Sequence, residues 1–371
     1  MRHTHSDRLE RWLGAENVDR VSTAMREWYG PPIALSGVPG NVRAVRGGDF
    51  IGRIRAGSEA SALDRGREIL HRLARGYRST VRRRATLSAG FSSLSDLIAE
   101  ATAGKRIEFA FQKVGTTGVV ASTNSLWRVG ASPAAGAQAS VAPTGDSPTD
   151  ATTGAMPFTN PASGNTLHFV LGCPLSSVAG NNLLLYDRIF QVRKTMNSSA
   201  TEAVTGVPTR YQSTTPTDPD FAGGNFVFPE CGTALPATAH NWTVCQYTDQ
   251  DGNTTQSIPS IAGNSSNIIN RLDLPAGYWF MPLAASDYGI KALTQMQCSA
   301  NVATGAIDFV IGHPIAWMPC PIANLVCIVD GINSAFNLVR IFDDAALALL
   351  EVNKPATTAT TYNGTFLTCY G

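Results

Sequence analysis

Hydrophobic and polar positions follow two different rhythms along this chain. In the first hundred residues apolar side chains recur at steps of three and four. Val18, Val21, Met25 and Trp28 share one face of a helix predicted over residues 16–29, after a short helix over residues 7–13. Gly14 stops the first, Asn17 caps the second, and Gly30-Pro31-Pro32 breaks it. Residues 33–57 are punctuated by Gly and Pro, with Arg43, Arg46, Arg53 and Arg55 spread among small residues, and read as an extended arm. Ile69, Leu70, Leu73 and Tyr77 form the stripe of a third helix over about residues 58–84. A fourth, short helix starts at Ser93 or Ser95 and is expected to bury Leu94, Leu97 and Ile98.

From residue 107 the period shortens. Apolar or alternating runs, separated by Gly, Pro, Asn, Ser and Thr, predict strands over 107–114, 166–171, 225–231, 242–248, 268–272, 290–298, 307–312, 325–329 and 337–342. Asp251-Gly252, between two such runs, signals a hairpin turn. The runs Leu183–Met196 and Ala345–Val352 fit either a helix or a strand. Residues 130–165 hold almost no large side chains and read as a long loop or arm. Phe169–Leu175 and Phe309–Ile315 echo each other, which suggests two equivalent strand–turn units or two lobes. The expected fold class is α+β: a helical N-terminal part over 1–106, then a mainly antiparallel sandwich or jelly-roll-like body over 107–371.

Charge divides the chain at the same place. Residues 1–106 carry 19 Lys and Arg against 11 Asp and Glu, 19 − 11 = +8; residues 107–371 carry 10 against 17, 10 − 17 = −7. Such a split assigns the two parts different surroundings. The third helix concentrates Arg65, Arg67, Arg72, Arg75, Arg78, Arg82, Arg83 and Arg84, a candidate electrostatic anchor. It suits an acidic protein surface, or nucleic acid phosphates; the absence of interleaved aromatics and of zinc-finger or basic-zipper context favours protein. No apolar run is long enough to span a bilayer, and the first thirty residues lack the apolar core and cleavage site of a secretory signal.

Candidate chemistry is sparse. Seven Cys without C-x-x-C spacing read as small core residues of a reducing cytosol. Phosphate-loop, nucleophile-elbow and zinc-helix motifs are missing from the sequence. Asp249-x-Asp251-Gly252-Asn253 begins like a calcium loop but has Thr254 and Ser260 where such a loop needs Gly and Glu. His168, His240 and His313 stand alone in sequence, and Asp187, Glu230, Asp273, Asp308, Asp343 and Asp344 are nominal acids with no pair singled out. No catalytic, metal or cofactor site is therefore expected. Trp127, Trp242, Trp279 and Trp317 are candidate stacking faces for sugars, or core residues.

Five segments carry a family resemblance: GKRIEFAFQKVGTTGVV (104–120), NNLLLYDRIFQVRKTMNSSATEAVTGVPTRYQS (181–213), HNWTVCQYTDQDGNTTQ (240–256), GIKALTQMQCSA (289–300) and GAIDFVIGHPIAWMP (305–319). From about residue 105 onward the chain resembles structural proteins of tailed bacteriophages. The resemblance implies a virion component made in the host bacterial cytoplasm, without enzymatic activity or cofactor. It implies other virion proteins as partners, the major capsid protein foremost, and homo-oligomers. A capsid decoration or minor capsid protein is the leading expectation. A neck or tail protein, and a carbohydrate-binding or polysaccharide-cleaving module, are the alternatives. Contact with nucleic acid is the lesser expectation for the Arg-rich helix, and contact with a membrane is not expected.

Overall fold

The computed structural model describes residues 91, 93–161, 165–332 and 338–371, and the backbone of two short strands at Asn41–Arg43 and Arg53–Arg55. The helices predicted over 7–29 and 58–84 lie outside the described residues. The chain divides into two units, Met1–Arg82 and Arg83–Gly371. In the first, Asn41–Arg43 and Arg53–Arg55 pair antiparallel, Asn41 opposite Arg55. Part of the segment expected to be an extended arm is thus a two-stranded ribbon.

The second unit is mostly antiparallel β-sheet. Its helix α1, Leu94–Thr102, is the only one among the described residues. Nine long strands follow: β1 (Arg106–Val114), β2 (Leu167–Ser176), β3 (Asn181–Thr195), β4 (Phe226–Thr233), β5 (Asn241–Asp249), β6 (Ile290–Cys298), β7 (Ala306–Cys320), β8 (Leu347–Val352) and β9 (Thr361–Tyr370). They form three sheets. One runs β2-β9-β1, with residues 329–330 and 340–341 on the outer edge of β2 and 131–132 beside β1. The second runs β8-β3-β7-β4, with residues 124–125 on the free edge of β8. The third pairs β5 with β6 and adds short strands at 202–203, 256–257 and 261–262.

The second sheet is buried on both faces, and side-chain alternation shows why. Leu183 and Leu185 of β3, with Leu347 and Leu349 of β8, enter one core with Phe109, Phe111, Phe169 and Phe366 of the first sheet. Leu184 and Tyr186, with Ala348, Leu350 and Val352, enter another with Trp242, Tyr247, Leu293 and Met296 of the third sheet. A sheet lying between two others has no solvent face, so its strands show no alternation of polar and apolar residues and most of their charged side chains are buried too. That resolves Leu183–Met196 and Ala345–Val352 as strands. The echoing segments Phe169–Leu175 and Phe309–Ile315 fall in different sheets, in β2 and β7.

Three sequence expectations need correction. Residues 268–272 form no strand; Arg271 and Leu272 make isolated bridges to Asn124 and Glu230, and Ile268 and Ile269 are exposed. Of residues 325–329 only Val329 pairs, and of the described part of 337–342 only Arg340 and Ile341. The small-residue stretch 130–161 is a loop, but one laid against the body. Because β8 pairs β3 only from Asn182 to Asp187, the edge of β3 beyond it lacks partners. Ser140, Ala142 and Asp146 supply them, bonding through their backbones to Gln191 and Arg193 at 2.8–2.9 Å. Residues without bulk allow that approach.

Helix α1 begins where Ser and Asp signals place it. Ser93 has extended backbone, and its Oγ accepts the Asp96 N–H at 3.1 Å. Only Leu97 is buried, in a small cluster with Phe91 and Cys369, whereas Leu94 and Ile98 are each 55% exposed. The expected three-residue buried face is therefore one residue wide, because the helix meets the body along a narrow line. Ser93→Ala is expected to weaken α1 by about 1 kcal/mol. Amide exchange at Asp96 and Leu97 should quicken several-fold while the midpoint of global unfolding holds; unchanged exchange would remove the capping role.

Candidate functional site

The predicted anchor residues Arg65, Arg67, Arg72, Arg75, Arg78, Arg82, Arg83 and Arg84 lie outside the described residues. The candidate acids mostly sit inside the body, each held by partners of its own chain. Asp187 takes Arg210 Nε and Nη2 at 2.6 and 2.5 Å and the Ala346 N–H at 2.9 Å. Burial pushes its carboxyl up, against the pull of the Arg210 guanidinium. Glu230 accepts from Arg188 Nη1 at 2.7 Å, with both side chains fully buried, and the Arg188 guanidinium lies 4.9 Å over the Trp127 ring. Asp308 receives Arg193 through both oxygens at 2.7 and 2.9 Å. Asp273 collects His240 Nε2, Trp242 Nε1, the Asn264 N–H and Asn267 Nδ2 at 2.8–3.0 Å. Asp343 is exposed, and Asp344 lies 3.6 Å from Arg210 at the surface. Glu230 and Asp308 are cross-strand partners within the second sheet, each on its own arginine, and Asp187 and Asp344 share Arg210.

The histidines divide by partner. Burial draws His240 down, but the Asp273 carboxylate more than offsets it, so the imidazole titrates above its usual range. His168 and His313 have no such carboxylate and are pushed down by burial, to about 4 and about 3. His313 stacks on Tyr211 at 3.8 Å and bonds Asn225. Asp249 caps the predicted hairpin, accepting the Asp251 and Asn253 N–H groups at 2.8–2.9 Å. Among the tryptophans, Trp127 and Trp242 are core residues; Trp317 is 44% exposed and meets the half-buried Trp279 edge to face at 5.1 Å.

One buried cluster was invisible in the sequence. Asn124, Glu351, Lys354, Thr360 and Tyr362 come together from three parts of the chain, all with 1% exposure or less. Glu351 Oε1 accepts from Lys354 Nζ at 2.7 Å and the Tyr362 hydroxyl at 2.6 Å, and its Oε2 accepts from Asn124 Nδ2 at 2.9 Å. Separation in sequence hides it; the only local signal is the two-residue gap between Glu351 and Lys354.

The outer surface offers a different feature. Pro321 ends β7, and the following strap carries Ile322, Leu325, Val326 and Ile328 at 51–68% exposure. It is fixed to the edge of β2 by the Asn324 N–H on the Ser176 carbonyl at 2.8 Å and the Cys327 N–H on the Pro174 carbonyl at 3.0 Å. The left-handed backbone at Asn324, φ 58°, makes the turn that points these side chains outward. Further along β2, Val170 supports α1, whose Leu94 and Ile98 are exposed too. Large aliphatics held outward in one short segment are the mark of a protein-contact surface. Among the described residues no helix is long and apolar enough to cross a membrane. No protein-family model matches the chain, and neither does any curated protein.

Proposed function

We infer that this protein is a structural component of a tailed-phage virion that acts through protein–protein contacts and performs no catalysis. The observation that carries the reading is the exposed aliphatic strap at 322–328, pinned by backbone hydrogen bonds to a rigid sheet edge. A surface of this kind is ready for a partner, because its ordering entropy has been met in folding. The body, a sandwich or jelly-roll-like β structure in this reading, is capsid-associated, as a decoration or minor capsid protein. Its basic N-terminal part, with the Arg-rich segment 65–84, is the anchor on an acidic surface of the major capsid protein. Copies of the body associate with one another, as shell components do by default.

Attachment to purified phage heads tests this. A chain without residues 1–82, cut at the boundary between the two units, should keep its β-body and lose binding to heads. Leu325→Asp with Ile328→Asp should leave the fold intact and weaken binding at least tenfold. Normal stoichiometry with both would overturn the reading. Densitometry of purified virions separates a decoration protein, on the order of hundreds of copies, from a neck or tail ring of roughly a dozen. The exposed Trp317, backed by Trp279, supports a second reading as a sugar-binding virion module. A glycan array probed with the wild type and Trp317→Ala decides it; a blank array retires it.

A further inference from the structure

Glu351 holds an amine and a carboxamide side by side on the two oxygens of one carboxylate. Asn124 lies directly opposite Glu351 in the pairing of residues 124–125 with β8, and its Nδ2 donates to Oε2 at 2.9 Å. Asn353, with φ 51°, turns the chain back, so that Lys354 Nζ reaches Oε1 at 2.7 Å. Both side chains border the same small space. A Cβ placed on Gly118 would lie 3.5 Å from Lys354 Cδ and 3.7 Å from Asn124 Nδ2. On the other side, a Cβ on Gly115 would lie 3.5 Å from Glu351 Oε2 and 3.7 Å from Leu126 Cδ2.

Three further observations set this cluster apart from the other buried ion pairs. The Asn124 acyl oxygen, Oδ1, is buried with no hydrogen-bond partner. The cation is a lysine, which can surrender its proton, whereas the cations on Asp187, Glu230 and Asp308 are arginines, which cannot. The other buried lysines among the described residues lack the arrangement. Lys113 donates to the carbonyls of Val129 and Pro133, and the Glu202 partner of Lys194 is 27% exposed. The 2.7 Å contact between Lys354 Nζ and Glu351 Oε1 gives the Lys354 proton a direct acceptor inside the body.

We propose that Lys354 and Asn124 condense into a side-chain amide, an intramolecular isopeptide crosslink, with Glu351 as the acid–base group. The proton of the Lys354 ammonium passes to Glu351. Rotation of the Asn124 amide exchanges Nδ2 and Oδ1, which presents the orphaned oxygen to the protonated carboxyl. The amine lone pair adds to Asn124 Cγ while Glu351 hydrogen-bonds the developing oxyanion. The Cγ–Nδ2 bond then breaks, Glu351 relays a proton from the former lysine nitrogen to the leaving group, and ammonia departs. One C–N bond forms and one breaks, with no oxidant or reductant. The product ties the strand at 124–125 to the end of β8 and does not depend on the virion reading.

Intact-mass spectrometry of the purified full chain tests the proposal. The expected mass is about 17 Da below that of the sequence, the ammonia lost. A protease digest should yield one branched peptide carrying both Asn124 and Lys354. Glu351→Gln and Lys354→Arg should restore the full sequence mass, and Asn124→Asp should lose about 18 Da, since water leaves instead. Should the variants fail to fold, the wild-type mass and branched peptide decide alone. A wild-type chain that keeps the sequence mass overturns the crosslink. So does a loss of ammonia without the branched peptide.

Discussion

Arg188→Ala is expected to destabilise the β-body by roughly 3–5 kcal/mol, the largest effect of any single substitution considered. The Arg188 guanidinium is fully buried and bonds Glu230 at 2.7 Å and Gln191 at 2.6 Å while lying over Trp127. Removing it leaves the Glu230 carboxylate in the core without its counter-ion, alongside a cavity beneath Trp127. Replacing both partners together, Arg188→Met with Glu230→Leu, removes the charges as well as the pair. The double variant should therefore be more stable than Arg188→Ala by at least 2 kcal/mol, on the order seen when buried ion pairs are exchanged for apolar side chains. Urea unfolding of the full chain, followed by tryptophan fluorescence, measures both. Equal losses in the single and the double variant would mean that the ion pair is not what holds β3 to the Glu230 strand.

Acid should weaken the body as the pH falls below about 6.5. His168 is fully buried in β2, donates Nδ1–H to the Thr166 carbonyl at 3.2 Å, and leaves Nε2 without a partner beside the Phe91 ring. Burial, with the Arg340 charge as a lesser cause, lowers its pKa to about 4. In the unfolded chain it titrates near 6.5, so between those values the unfolded state binds the extra proton. Its contribution is therefore complete above pH 6.5 and is lost as pH falls toward 4. One pH unit is worth about 1.4 kcal/mol, which gives a loss of about 2 kcal/mol at pH 5 relative to pH 7.5. His313, pushed down to about 3 by burial, adds to the loss in the same window. His240 works the other way. Its raised pKa makes its contribution full below pH 6.5, and that contribution disappears as pH rises through the folded value. His168→Gln should flatten the acid limb of the urea midpoint against pH. An unaltered slope would show that the buried imidazole does not govern acid sensitivity.

Much of the β-body was legible because half-buried strands carry their period openly. Residues 108–114 alternate strictly between exposed and buried, and the predicted strand 107–114 matches β1 to within one residue. The Ser93 cap and the Asp251-Gly252 turn were equally readable, since a side chain or a glycine acts there on its own backbone. Legibility failed where the environment sets the pattern. Leu183–Met196 shows no alternation because two other sheets cover both faces of β3. Leu325 and Val326 look like a strand, yet β7 stops at Cys320 before Pro321, and the edge of β2 receives only two backbone bonds from this segment, so the apolar side chains face outward.

The sequence by itself determined the strand-rich body, the charge division near residue 106 and the local caps and turns, because each depends on residues a few positions apart. Only the tertiary structure decided which carboxylates meet which cations, that Leu94 and Ile98 stay exposed, and that Asn124, Glu351 and Lys354 share one buried site. Those outcomes follow from which strands become neighbours, and the pairing of β8 with residues 124–125 joins parts of the chain that no local pattern connects.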